Sequence, residues 1–369
     1  MSAGRVALES PSEDVDAKDA RPRVSAGPAR SRYHPPVTKP RIALIGTGGT
    51  ISSIGRDSLD VWEYMDTSRK AEPAELLQRF PEAAGAAEIV PVRFRAVGST
   101  AIGPAEWLGL DAAVHDAVVR EHPLDGVVVT HGTATLEETA YFLGLTLKTP
   151  VTVVLVGAQR PATGLATDAG MNLLNALRVA GAPEARGLGV LVLLNDEIQA
   201  AREVTKTSTL RLETFRSPDL GMLGYADPDG RIAIYRRPAR RHAPDTEFDV
   251  RGRTELPRVD VAASYAGADG TAIRAFVAAG ARAIVSAALP PGVTTPGEAE
   301  ALDEARRRGV LVVISSRAGS GRVLPRTSLR RRGFVVADNL NPQKARVLAM
   351  LALTRTDDPV EAQRIFDEY

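Results

Sequence analysis

The 369-residue chain contains no cysteine, which excludes disulfides, thiolate catalysis and Cys-ligated zinc and is compatible with a reducing compartment. It also lacks a surplus of either charge, because 46 Lys and Arg residues stand against 45 Asp and Glu residues. Sequence-independent binding of nucleic acid requires a concentrated basic surface, so we expect no nucleic-acid partner. No apolar run is long enough to span a bilayer, so we expect no membrane association.

Residues 1–40 are polar, rich in Pro, Ala and Ser, and show no apolar periodicity. Such a segment cannot bury enough apolar surface to offset the entropy lost on ordering, so it is predicted to be a disordered tail. It also lacks the continuous apolar stretch of a secretory signal. A cytoplasmic location is therefore the expectation.

From residue 41 onwards, short β-branched apolar runs alternate with amphipathic stretches, which predicts an α/β fold with a parallel sheet covered on both faces. This alternation is interrupted by the turn-rich, charged segment 226–258 and resumes after it. A chain of this length usually forms more than one domain. We expect the following organisation: a larger N-terminal catalytic α/β domain at 41–235, an exposed interdomain linker at 236–258, and a smaller C-terminal α/β domain at 259–369.

Two predicted strands end in loops that combine glycine with threonine. The strand RIALIG is followed by TGGTI, residues 47–51, and the strand GVVVT is followed by HGTATLEETA, residues 131–140. Ligands of parallel sheets bind beyond the carboxyl ends of the strands, so both loops are candidate site segments. Each loop alone is also compatible with an ordinary glycine turn, with Glu137 and Glu138 starting a helix and His131 held structurally by hydrogen bonds.

The two loops together resemble the signature regions of the bacterial L-asparaginases and glutaminase-asparaginases. The resemblance runs in the same order from Arg41 to Tyr369 and includes VGAQRP at 156–161, TKT at 205–207 and NPQKAR at 341–346. It implies the asparaginase fold, an amidohydrolase activity on a small-molecule amide, and no metal or organic cofactor. It also implies a homo-oligomer, a dimer of dimers with active sites at a subunit interface.

The resemblance assigns roles to individual residues. Thr50 matches the nucleophile, and Thr133 and Lys206 match the second threonine and its lysine partner. Tyr64 matches the tyrosine that orients the nucleophile, although an ordinary aromatic residue of a lid is an alternative interpretation. The remaining substrate contacts are expected from Ser99, Thr100, Gly132 and Ala134, and from the backbone carbonyl of Ala158.

The chain departs from the family pattern at the expected substrate-binding residues. The family carries Asp between its two threonines, where this chain has Ala134, and a Gln or another polar group where it has Thr100. In the family, acidic and amide side chains from the smaller domain of the neighbouring subunit complete the binding of the substrate ammonium. No acid is evident in the corresponding stretch 321–326 of this chain, where Arg322 and Arg326 occur instead. An unpaired buried charge is costly, so we expect a substrate without a free α-ammonium.

Three alternatives remain open from the sequence. The chain is an amidohydrolase with a shifted substrate, such as an N-acylated or N-carbamoylated amino acid, a cyclic amide or a dicarboxylic acid monoamide. It is a conventional L-asparaginase. Or Ala134 is an inactivating change, natural or engineered, in a catalytically silenced homologue that only binds its ligand. Fold cannot separate these, whereas the joint retention of Thr50, Thr133 and Lys206 favours an enzyme.

Overall fold

The computed structural model describes residues 39–67 and 69–369, and residues 39–369 form one compact unit. The prediction of a disordered tail falls almost entirely on residues 1–38 and lies outside the described residues. Within the described residues, no helix is both long and apolar enough to cross a membrane.

Most strands are short, and the three at 126–130, 152–156 and 190–194 are fully buried. They are β1 Arg41–Gly48, β2 Ser53–Ile54, β3 Arg69–Lys70, β4 Glu88–Val97, β5 Gly126–Thr130, β6 Thr152–Val156, β7 Val190–Leu194, β8 Glu197–Ala200, β9 Thr205–Lys206, β10 Phe215–Arg216, β11 Gly224–Ala226, β12 Ile232–Ile234, β13 Val259–Ala263, β14 Ala283–Ala288, β15 Leu311–Ser316 and β16 Val335–Val336.

The helices follow the amphipathic stretches, and many begin with proline in the first turn, where its missing N–H costs nothing. They are α1 Tyr64–Thr67, α2 Pro73–Arg79, α3 Pro81–Ala84, α4 Pro104–Arg120, α5 Leu136–Thr146, α6 Ala169–Gly181, α7 Thr271–Ala278, α8 Pro296–Arg307, α9 Thr327–Arg331, α10 Pro342–Ala352 and α11 Pro359–Glu368.

The larger sheet has eight strands in the order β12-β11-β8-β7-β6-β5-β1-β4. Strands β4, β1, β5, β6 and β7 are parallel, as the continuous apolar runs predict. Strands β8, β11 and β12 extend the sheet in antiparallel fashion at one edge. The sheet is therefore mixed, because short reversals after β7 add strands that carry no helical crossover.

The smaller sheet is entirely parallel, in the order β13-β14-β15-β16. Helix α10 packs both against this sheet and against α5 of the larger one. A single apolar cluster accordingly continues from Trp107 and Phe142 beside the larger sheet to Leu348 and Phe366 in the last two helices. The α/β fold class and the division into a large and a small sheet are confirmed.

The segment predicted as an exposed linker is more ordered than expected. Residues 236–258 contain no helix or strand, but Ala243, Phe248 and Val250 are buried, and the Phe248 ring packs on Tyr369 with centroids 5.0 Å apart. Strand β12 also falls inside the turn-rich stretch 226–258. Scattered apolar residues without a clear period gave no sequence signal for this packing.

Candidate active site

The topology of the larger sheet brings four loops to one edge. Strands β6, β5, β1 and β4 are consecutive neighbours, and their carboxyl ends lead directly into the segments that carry Gln159, Thr133, Thr50 and Ser99. Parallel neighbours end at the same edge of a sheet, so side chains that are far apart in the sequence meet there. The candidate site is built on rigid strand ends.

Glycines allow these loops to touch. Gly49 has a φ of 78°, and a Cβ on it would lie 2.2 Å from the Gly132 Cα atom. A Cβ on Gly132 would lie 2.7 Å from the Ser99 Cβ atom. Only residues without a side chain permit such a backbone approach, so the two glycines set how closely Thr50 and Thr133 can face one ligand.

A cleft of about 720 Å³, open to solvent, lies between the loops. It is lined by Gly49, Thr50, Tyr64, Met65, Lys70, Gly98, Ser99, Thr100, Gly132, Thr133, Ala134, Gln159, Lys206, Thr209 and Leu210. The cleft thus collects all of the sequence-predicted site residues except Ala158. Ala158 is fully buried beside the cleft-lining Gln159, so a contact through its backbone carbonyl remains a prediction.

Thr50 and Tyr64 form the first polar pair in the cleft. The Thr50 Oγ1 and Tyr64 hydroxyl oxygens are 3.0 Å apart, and either can be the donor. Burial raises the pKa of Tyr64, and the hydrogen bond with Thr50 opposes the shift only in part. The neutral phenol can therefore orient the Thr50 hydroxyl, but it must pass on its own proton if it is to take the proton of Thr50.

Thr133 and Lys206 form the second pair. The Lys206 Nζ atom donates to Thr133 Oγ1 at 2.7 Å, and Thr133 is only 6% exposed. Burial lowers the pKa of Lys206, because the ammonium form loses hydration in the cleft. This pair can hold a proton at Lys206 or, once the lysine is neutral, accept one through the Thr133 hydroxyl.

Ser99 fixes the loop that carries the predicted substrate contacts. Its Oγ atom accepts from the Ala134 N–H at 3.3 Å, and its carbonyl accepts from Thr135 Oγ1 at 2.9 Å. The Ala134 methyl group is exposed to the cleft. The wall therefore presents a methyl group, and no carboxylate, at the position between the two threonines.

His131 supports the second loop without reaching the cleft. Its ring lies between the Gly132 carbonyl, 2.8 Å from Nδ1, and Thr139 Oγ1, 3.0 Å from Nε2. Trp107 Nε1 donates to the same Thr139 hydroxyl at 3.0 Å. Complete burial lowers the pKa of His131 to about 4, so the imidazole is neutral and braces the loop through its two hydrogen bonds.

Comparison with known proteins identifies the family. A family model described as "Asparaginase, N-terminal" matches residues 41–240, and one described as "Glutaminase/Asparaginase C-terminal domain" matches residues 258–366. An L-asparaginase 2 of Bacillus subtilis is 41% identical over 330 residues, which cover 89% of this chain and 87% of that protein. The chain belongs to the asparaginase family of amidohydrolases.

Other asparaginase-family relatives agree with this assignment. A glutaminase-asparaginase of Pseudomonas fluorescens is 39% identical over 331 residues, covering 89% of this chain and 90% of that protein. The crystal structure of a probable cytoplasmic L-asparaginase from Campylobacter jejuni matches with a TM-score of 0.85 and 39% identity, covering 90% of this chain and all of that one. The resemblance seen in the sequence and the predicted amidohydrolase class are both confirmed.

The structure adds residues that the comparison of motifs with the asparaginase family did not single out. Lys70 and Gln159 line the cleft, and the Gln159 Nε2 atom is buried without a hydrogen-bond partner among the described residues. The Asp168 carboxylate accepts from the backbone N–H groups of Gln159 and Arg160 and fixes their loop. Lys70 lies outside the motifs that carry the family resemblance. The sequence motif that contains Gln159 does not show that its side-chain amide lacks a hydrogen-bond partner in the fold.

The asparaginase-family motif at 341–346 serves the packing of the small-sheet region on α5. Gln343 Nε2 donates to the buried Glu137 carboxylate at 2.9 Å, and Lys344 Nζ donates to the carbonyls of Ala201 and Arg202. Glu137 thus links α5 to the start of α10. The position of Glu137 at the start of a helix did not by itself indicate this contact.

The two arginines noted in the stretch 321–326 lie outside the cleft of this chain. Arg322 pairs with the Asp338 carboxylate, and Arg326 Nη2 donates to the Gly292 carbonyl at 2.6 Å. Among the described residues, no group of three or more His, Asp or Glu side chains is arranged to hold a metal ion.

Proposed function

We propose that this chain cleaves the amide of a small carboxylate-bearing substrate that lacks a free α-ammonium, with Thr50 as the nucleophile. The observation that supports the substrate class is the charge of the cleft. Two lysines, Lys70 and Lys206, line the described part of the cleft, and no Asp or Glu does. A substrate ammonium would lose its hydration in the cleft without a carboxylate among the lining residues to compensate it, which is strongly unfavourable.

In the proposed reaction, Thr50 Oγ1 forms a bond to the amide carbon while its proton leaves through the Tyr64 hydroxyl. The N–H groups of Thr50 and Thr133 have no acceptor among the described residues, so they are available to the oxyanion. The C–N bond then breaks, and the nitrogen takes up a proton and leaves as ammonia. The product of this half-reaction is an ester of Thr50.

Water completes the cycle. The Thr133–Lys206 pair takes one proton from the water as its oxygen attacks the ester carbon, and the C–O bond to Thr50 breaks. Thr50 recovers its proton, and the substrate acyl group leaves as a carboxylic acid. The sum is one amide and one water converted to one carboxylate and one ammonium ion.

The proposal extends to assembly and location. Met65 and Leu210 on the rim of the cleft are 60% and 68% exposed, and such apolar side chains fit a subunit contact at the site. We propose a dimer of dimers with the cleft at an interface, in the cytoplasm. Light scattering with a dilution series of activity tests the assembly, and a fully active monomer would contradict it.

Ammonia release across matched amides tests the substrate class. L-Asparagine, N-acetyl-L-asparagine and succinamate differ at the position of the α-ammonium, and we expect turnover of the last two to exceed that of L-asparagine. The variant Ala134→Asp should reverse this order by supplying the missing carboxylate. Thr50→Ala should remove all turnover while the protein stays folded. A wild-type preference for L-asparagine would establish a conventional asparaginase, and binding without turnover of any amide would establish a silenced homologue.

A further inference from the structure

Lys344 is a buried lysine that the proposed reaction does not use. It lies in the first turn of α10 and is only 2% exposed. Burial lowers the pKa of Lys344 to about 8, so the ammonium form, with its three N–H donors, still predominates at pH 7. A lysine is almost never buried to this extent unless other groups compensate its charge. The partners of Lys344 therefore indicate what it does.

All three donors of Lys344 are directed at one turn of the chain. Its Nζ atom donates to the carbonyls of Ala201 at 3.0 Å and Arg202 at 2.9 Å, and also to the Val204 carbonyl. No backbone N–H among the described residues reaches these three oxygens. A buried carbonyl without a donor is costly, so this lysine fixes the path of the chain through residues 201–204.

This turn leads directly into strand β9, which carries Lys206. Strand β9 has only two residues and pairs only with the two-residue strand β10. Such a short pair is not stable by itself, so its position depends on the segments that flank it. Asn341, the N-cap of α10, provides a second anchor, because its Nδ2 atom donates to Thr205 Oγ1 at 3.3 Å. Helix α10 thus holds both Thr205 and the turn that precedes it.

We propose that Lys344 and Asn341 are positioning residues for Lys206, which hold strand β9 so that the Lys206 ammonium meets the Thr133 hydroxyl. This inference rests on the proposed function, in which the Thr133–Lys206 pair takes a proton from water. The pair is 2.7 Å apart, and a donor and acceptor separated by about 3.6 Å no longer form a hydrogen bond. A displacement of β9 by about 1 Å would therefore break the pair. Helix α10 is a rigid base for β9, because it is packed in the apolar core.

A role limited to packing predicts a different result. Lys148 provides the comparison, because its Nζ atom also donates to backbone carbonyls, those of Pro244 and Thr246, and does not line the cleft. Burial lowers the pKa of Lys148 as well. If Lys344 only stabilised the fold, Lys344→Met and Lys148→Met would both lower the melting temperature and leave Lys206 unaffected. A positioning role changes the surroundings of Lys206 itself.

The experiment measures the pKa of Lys206 by NMR of isotope-labelled lysine in the intact protein, which contains six lysines. The signal is assigned by its loss in Lys206→Met. Lys344→Met should release β9, restore hydration to Lys206 and raise its pKa by at least about 0.5 towards the ordinary 10.5, whereas Lys148→Met should leave it at the wild-type value. Thr205→Val, which removes the acceptor of the Asn341 bond, should shift the pKa in the same direction and decides the question if Lys344→Met does not fold.

Ammonia release separates this inference from the proposed function. On the best amide substrate, Lys344→Met should lower kcat about 10- to 100-fold and move the rise of kcat with pH to higher pH, whereas Lys148→Met should change neither. An unchanged pKa of Lys206 in folded Lys344→Met and Thr205→Val would overturn the positioning role and leave the enzyme intact, and so would an equal change in Lys148→Met. A raised pKa of Lys206 in variants of a protein that turns over no amide would overturn the proposed function alone.

Discussion

Replacement of Lys206 tests whether this lysine acts as a general base or only as a fixed hydrogen-bond donor. The Lys206 ammonium donates to the buried Thr133 hydroxyl at 2.7 Å, and burial lowers its pKa from the usual 10.5. Methionine removes the donor, whereas arginine keeps the donor and the charge but cannot lose its proton near neutral pH. The two variants therefore test the two roles separately.

The expected magnitudes differ between the roles. A charged hydrogen bond to a buried partner is worth about 1.5–3 kcal/mol, or roughly 10- to 150-fold in rate. A positioned general base contributes about 10²- to 10⁴-fold. If Lys206 acts as the base, both Lys206→Met and Lys206→Arg should lower kcat at least about 10²-fold.

The assay is the pH dependence of ammonia release on the best amide substrate. In the wild type, kcat should rise with pH through the pKa of Lys206, because the neutral amine is the form that accepts a proton, and this limb should vanish in both variants. Lys148→Met is a control, since Lys148 is another lysine whose pKa burial lowers, and its Nζ binds the Thr246 carbonyl at 2.6 Å outside the cleft. If the kcat of Lys206→Arg were within tenfold of the wild-type value, the role of Lys206 as the base would be refuted.

Three further predictions concern the frame of the site. Gly132→Ala should lower the free energy of unfolding by about 1–3 kcal/mol and also lower kcat/KM, because the new Cβ would lie 2.7 Å from the Ser99 Cβ. Gly319→Ala is the control: its Cβ would have nothing within 4 Å, so neither quantity should change. Gln159→Met should raise the melting temperature by removing a buried unsatisfied amide, worth about 1–3 kcal/mol, and a lower melting temperature would show that the amide is satisfied. The pKa of His131 is lowered to about 4, so unfolded but not folded protein takes up a proton between pH 6.5 and 4. The free energy of unfolding, measured in urea, should therefore fall in the wild type relative to His131→Asn by about 1.4 kcal/mol per pH unit on acidification through that window. Above the window the difference between the two proteins should stay constant. If the two proteins showed the same dependence of stability on pH, a neutral buried imidazole would be contradicted.

The sequence was sufficient to predict the strands and helices whose apolar residues follow a clear period. The run GVVVT is strand β5 over the predicted residues, and the run RIALIG lies within strand β1. Antiparallel β8, β11 and β12 were not anticipated, because strands of three or four residues at an edge have no resolvable period.

For the candidate site, the motifs and their order identified which residues belong to the site, but they did not show which side chains hydrogen-bond to each other. Thr50, Thr133 and Lys206 stand in loops that the sequence singled out, and the structure pairs Thr133 with Lys206 and Thr50 with Tyr64. From the sequence, Tyr64 could equally have been an ordinary aromatic residue of a lid. Its hydrogen bond to Thr50 favours the orienting role over that of an ordinary lid aromatic.

The sequence by itself determined the α/β class, the family resemblance and the absence of an aspartate between the two threonines, because each is written in local pattern or residue identity. Only the tertiary structure decided which charges share the cleft. Lys70 and Lys206 are far apart in the chain and both line the cleft at the edge where β1, β4, β5 and β6 end, while Asp60 and Asp168 are hydrogen-bonded outside the lining. Electrostatic selection depends on distance and desolvation, and neither quantity is set before the chain folds.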